Sequence, residues 1–220
     1  MFQGVPMFDN VVTYHVHRRH PLPPNDAVAY QYVLAAAGLY LRAENAFFDV
    51  CLPLARCRVR GLAPLKPRFA LKVPRIPGRL LAAVLADARR ARRPDNVLDE
   101  RLYHFYHDGA RVRVVKPPQR ATAASVMAAE ADPAGLLLDL HSHGNMRAFW
   151  SGTDDGDEQG FRAYGVIGRL DERPEIRVRL GVYGVWFPLP ATTLFDGMGD
   201  FVDAYARKRK RRTADADPHA

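Results

Sequence analysis

Cysteine is scarce in this chain of 220 residues. Cys51 and Cys57 are the only two, too few for a disulfide framework, and they read as reduced thiols of a cytoplasmic protein. Long apolar runs are missing. None approaches the roughly 20 residues that a membrane-spanning helix needs, so no membrane partner is expected. The first ten residues, MFQGVPMFDN, lack a basic stretch followed by an apolar core, which argues against a secretory signal. No internal repeat is visible. What is present is ordinary: 48% hydrophobic and 25% charged residues, the balance of a globular protein. The length suits one large domain, or a compact domain with a smaller companion.

The net charge of +8 is unevenly spread. Arg207–Arg212 are six consecutive basic residues, followed by Asp215 and Asp217. This end alone supplies half of the net charge. A run of this kind can contact nucleic acid or another acidic surface, although a solvated, disordered terminus is the plainer expectation.

Residues 1–73 read as strands and turns with one helix. HPLPPND (His20–Asp26) is a proline-rich turn, Asp26 is placed to cap a helix through AVAYQYVLAAAG, and Gly38 is placed to end it. Strands then flank a turn at Glu44–Asn45. APLKPRFALKVPRIP is a proline-rich connector. After it, Leu80, Leu81, Val84, Leu85 and Ala88 form one apolar stripe, and the spacing predicts a helix from Pro77 to about Arg93. NVLDERLYHFYHDGARVRVVKP reads as a hairpin turning at Asp108–Gly109. Its alternation puts Glu100, Leu102, His104 and Tyr106 on one face. ATAASVMAAEADPAG is expected as a short helix or loop. LLLDL is a buried strand, YGVIGRL and EIRVRLGVYGVWFPLP an antiparallel pair, and LFDGMGDFVDAYARKRK a terminal helix.

The chemistry concentrates in LLLDLHSHGNMRAFWSGTDD (Leu136–Asp155). Residues i and i+2 of a strand share a side, so His141 and His143 can aim both imidazoles at one point while Ser142 faces away. Two imidazoles and a carboxylate are a common zinc set that leaves the fourth position open, as in catalytic sites. Asp154, Asp155, Asp157 and Glu158 all follow closely enough to supply the carboxylate. A second H-x-H, His15 and His17 with His20 beyond, has no such sequel and reads as a chance strand pair. Trp150 and Phe149, beside Ser151, suit either a substrate flank or core packing. Cys51 and Cys57 do not have zinc-knuckle spacing.

HSHGNMRAFWSGTDD fits H-x-H, seven residues, then S-x-x-D. This pattern resembles the metal motif of the JAB/MPN (JAMM) metalloproteases, and AFWSGTDDGDE is most similar to the prokaryotic JAB branch. The likeness covers about residues 77–190. The chain as a whole is also similar to the JAB-type proteins of the PRTRC cassette, a plasmid- and phage-associated set with ThiF-related and ParB-related members. The resemblance implies His141, His143 and Asp154 as Zn2+ ligands and Ser151 as a hydroxyl that donates to the developing oxyanion. It also implies a glutamate general base on a strand after the first long helix. Glu100, which opens ERLYHFYH, fits that place. Glu130 is nearer in sequence but in an expected loop, and Glu44 precedes the helix. One departure stands out: many family members have proline after the second histidine, where this chain has Gly144.

The resulting expectation is an α/β (α+β) protein. It has a small N-terminal α+β region at 1–73, a JAB/MPN-like mixed β-sheet flanked by helices at 77–195, and a C-terminal helix with a basic disordered tail at 196–220. The implied activity is that of a zinc metallopeptidase or isopeptidase acting on an amide bond at the C-terminus of a ubiquitin-like protein, alongside ThiF-like partners. A non-catalytic MPN-like scaffold and a plasmid-associated interaction protein are the alternatives.

Overall fold

A computed structural model describes residues 10–128 and 131–205. Glu130 and the basic run Arg207–Arg212 lie outside the described residues. The chain separates into two compact units, Met1–Lys72 and Val73–Ala220. It is an α+β protein, rich in strand and poor in helix.

The first unit is one five-stranded sheet in sequential order: β1 (Val12–Val16), β2 (Tyr30–Ala35), β3 (Gly38–Glu44), β4 (Phe48–Arg56) and β5 (Arg68–Leu71). β1 pairs parallel to β2 and the rest are antiparallel. The helix expected after Asp26 is not formed; those residues are β2 and the turn into β3. Gln31, Val33 and Ala35 are buried while Tyr30, Tyr32 and Leu34 are half-buried. That is the period of two, and sheet pairing overrides the helix preference of the alanines. Asp26 does not cap a helix; its Oδ1 accepts from Thr13 Oγ1 and Gln31 Nε2. Gly38 serves a tight turn rather than a helix end: its φ is +143°, and a Cβ there would lie 2.0 Å from the Ala55 carbonyl oxygen. Val33, Ala35, Tyr40 and Cys51 make one core cluster, closed by Leu22 and Leu65.

The second unit opens with α1 (Gly78–Arg89), which buries Leu81, Val84, Leu85 and Ala88, most of the expected stripe. It is four residues shorter at its C-terminal end than the spacing predicts. Asp87 on α1 accepts from Tyr103 Oη at 3.0 Å and from Lys116 Nζ at 2.9 Å, tying the helix to the sheet. That sheet has seven strands: β6 (Leu102–His107), β7 (Val112–Val115), β10 (Leu136–Ser142), β11 (Arg162–Gly168), β12 (Glu175–Val182), β13 (Val185–Leu189) and β14 (Val202–Asp203). The order is β13-β12-β11-β10-β6-β7, with β14 beside β12. It is mixed, because β10 runs parallel to β11 and antiparallel to β6.

Two expectations change here. ATAASVMAAEADPAG contributes to a two-stranded hairpin, β8 (Gln119–Ala121) with β9 (Val126–Ala128), because Thr122 and Ser125 close a turn between them. The stretch expected as a terminal helix begins instead with a bridge from Phe195 to Ile76 and the strand β14, which pairs with the start of β12. Leu137, Leu138 and Leu140 of β10 are fully buried, as suits a central strand covered on both faces. No helix among the described residues is long and apolar enough to cross a membrane.

Candidate metal centre

The site forms at the C-terminal end of β10. His141 and His143 are two residues apart on extended backbone, so their rings share a side. His143 N donates to Ile167 O at 2.8 Å, which keeps the chain extended past the last strand residue. The Nε2 atoms of the two histidines are 3.0 Å apart. Both residues are buried, and so is Glu100.

The loop then turns at Gly144, whose φ is +53°. A Cβ on Gly144 would lie 3.1 Å from both Cβ and the carbonyl oxygen of Leu98. Proline, fixed near −65°, cannot take this route. Glycine is therefore required by the path of this loop, and the two histidines still converge.

The loop ends at Ser151, the N-cap of the short helix α2 (Gly152–Asp157). Ser151 Oγ accepts from Asp154 N at 3.1 Å, and Asp154 Oδ2 accepts from Ser151 N at 2.6 Å. This reciprocal capping box fixes the Asp154 carboxylate. Its other oxygen, Oδ1, is 3.2 Å from His141 Nε2. One ligand atom from each of His141, His143 and Asp154 lies within 4.8 Å of the others. A tetrahedral zinc with bonds of about 2.0–2.1 Å would hold its ligands roughly 3.3 Å apart.

Converging acceptors repel unless a proton or cation sits among them. A second proton, which would charge His141, is disfavoured: burial lowers that pKa to about 4, with the attraction of Asp154 opposing and His143 and Arg179 adding to the fall. Burial likewise lowers His143, against Asp154. The donor set thus suits a divalent metal ion. Among the described residues this is the one group of three or more His, Cys, Asp or Glu side chains that converges in this way.

Glu100 reaches the site through an interaction that strand periodicity does not reveal. Ser142, on the opposite side of β10 from the histidines, pairs with the segment leading into β6: Arg101 N donates to its Oγ at 2.9 Å, and Ser142 N donates to Arg101 O at 2.8 Å. Glu100 N donates to Thr122 O on the β8–β9 turn. Held from both sides, Glu100 puts Oε1 3.9 Å from His143 Nε2. Burial, then the charge of Asp154, raises its pKa to about 7. A carboxyl group poised near neutrality both takes and gives a proton readily.

The remaining candidates lie elsewhere. Asp155 and Glu158 both accept from Arg179, each at 2.6 Å, and Asp157 is exposed. Glu44 is in the first unit, paired with Lys72. His104 is buried and faces Asp139 at 3.9 Å. Phe149 packs its ring 4.6 Å from that of His143 and Trp150 lies 6.3 Å from His141, between centroids. The rings of His15 and His17 are 6.1 Å apart and those of His17 and His20 4.7 Å. No family model matches the chain, and no curated protein matches it significantly.

Proposed function

We propose that the second unit is a JAMM-type zinc metallopeptidase that hydrolyses an amide bond. The observation that carries this reading is the convergence of His141, His143 and Asp154 with Glu100 beside them. Zinc held by these three residues would leave one position open, where it acidifies water and polarises a carbonyl. Glu100 takes a proton from the attacking water and passes it to the leaving amine. Ser151 Oγ already accepts from Asp154 N, so its own proton is free to be donated to the developing oxyanion. His141 and His143 act as neutral ligands, a state their burial favours.

The substrate we infer is a protein tail, a peptide or isopeptide at the C-terminus of a ubiquitin-like protein, processed alongside a ThiF-like activating partner. This rests on the likeness of the motif to the JAB branch and of the chain to the PRTRC-type proteins. We also infer a cytoplasmic location, which suits the free thiols of Cys51 and Cys57.

The test is metal analysis together with a reporter joining a ubiquitin-like tail to a lysine side chain. The wild type should hold about one zinc per chain. His141→Ala, His143→Ala and Asp154→Ala should each lose most of it and all cleavage. Full zinc in all three variants removes the metal reading. A wild type that is fully loaded yet leaves every amide reporter intact favours the scaffold alternative.

A further inference from the structure

The helix α2 brings one metal-site residue, Asp154, yet little of its own holds it in place. It has six residues and buries none of them. A helix this short is not stable by itself, and it has no apolar face to dock. Its capping box fixes Asp154 relative to Ser151, not relative to β10.

Arg179 makes the missing connection. It sits on β12, in register with Tyr164 of β11, which is in register with Asp139 of β10. Arg179 therefore shares a sheet face with Asp139 and, two residues on, with His141. Its side chain is only 5% exposed. Nε donates to Glu158 Oε2 at the C-cap of α2, and a terminal nitrogen donates to Asp155 Oδ1 within it, both at 2.6 Å. The guanidinium carbon lies 4.0 Å from the ring centroid of Trp150, just before the N-cap, and 4.9 Å from that of Trp186 on β13. Trp186 Nε1 in turn donates to Glu158 O at 3.1 Å. The only two tryptophans of the chain thus pack against this one cation. A planar, forked guanidinium can stack and bridge two carboxylates at once, which an ammonium cannot.

We infer that Arg179 is a positioning residue, which grips α2 before, within and after the helix and so sets the distance between Asp154 and the histidine pair on β10. The inference rests on the metal reading above. Outer partners that orient ligands typically change metal affinity about 10- to 100-fold when removed.

Cobalt(II) is the probe, read both by chelator competition and by the visible band that reports coordination geometry. Arg179→Met should weaken Co2+ binding about 10- to 100-fold and change the band towards that of Asp154→Ala. Combining Arg179→Met with Asp154→Ala should be no worse than Asp154→Ala alone, because both act through the same ligand. Additive losses in that cycle, or wild-type affinity and band in Arg179→Met, overturn the inference while leaving the metal site intact. A wild type that binds no Co2+ overturns both. Arg179→Met leaves Glu158 buried without its partner, so Arg179→Lys, which keeps the charge, is the variant to read if the first does not fold. It should still lose about tenfold, and wild-type binding by it would equally sink the inference.

Discussion

Asp154 divides its carboxylate between two tasks, one oxygen accepting from the backbone of Ser151 and the other facing His141. The two tasks separate by substitution. Asp154→Asn keeps a carbonyl oxygen for the capping box and loses the charge, so it should lose metal while the metal-free protein melts near the wild-type temperature. Asp154→Ala should lose metal and also about 1 kcal/mol of metal-free stability, read by urea unfolding. Glu100→Gln should retain zinc and slow hydrolysis by about 10²–10⁴; a cleavage rate equal to the wild type would assign the base elsewhere. Gly144→Ala should destabilise by about 1–2 kcal/mol, because its positive φ is strained for any side chain, with Leu98 crowding the new Cβ. The convergence of the two histidines was legible from strand alternation, whereas Asp154 stood out from Asp155, Asp157 and Glu158 only through the family resemblance of the S-x-x-D offset. In the structure that same S-x-x-D is also a capping box. Arg179 and Ser142 were not legible, since their partners are 21 and 41 residues away and are fixed by strand register.

Among the elements, α1 and the hairpin β6–β7 follow from a clean apolar stripe and from the Asp108–Gly109 turn. The departures have separate causes. AVAYQYVLAAAG is rich in alanine, and local preference favours a helix, but β1 and β3 flank it and impose a strand. EIRVRLGVYGVWFPLP breaks into β12 and β13 because Tyr183 and Gly184 both take positive φ, a hairpin turn that lies within one apolar run. The docking of α1 offers a pH test. Burial raises the Asp87 pKa, but the hydrogen bonds from Lys116 and Tyr103 pull it further the other way, leaving it below its ordinary value of 3.8. A carboxylate with a lowered folded pKa stabilises above its unfolded pKa, and that stability is lost as the pH falls through the folded value. Asp87→Asn should therefore cost about 1–3 kcal/mol near pH 7. The gap to the wild type should close below about pH 4, as followed by urea unfolding across the range.

At the scale of the whole molecule, the metal-site residues and Glu100 all belong to the second unit. A chain beginning at Val73 should fold and bind one metal ion. If it is insoluble and metal-free, the first unit contributes to its core. The division after Lys72 falls inside APLKPRFALKVPRIP, but that stretch is no free connector: Leu65 packs on the first core and Arg68–Leu71 is β5, because its prolines lie outside the paired residues. The mixed sheet was legible from the order of helix, hairpin, strand and hairpin. Strand order could not be read, because β10 lies between β11, the next strand in the chain, and β6, four strands earlier, while β7 goes to the outside and β8 and β9 pair only with each other.

The second unit is also closed by its own ends. Ile76 bridges Phe195, Gly78 N donates to Asp196 Oδ1 at 2.7 Å, and Val202–Asp203 pairs with Glu175–Ile176. A ribosome delivers the partners of the first two contacts more than a hundred residues apart. The five strands of the first unit emerge together and can pair at once, whereas the start of α1 must wait for Phe195 and Asp196 to leave the exit tunnel. Nascent chains stalled after Leu189 should thus be cut by protease near α1, and released full-length chains should resist.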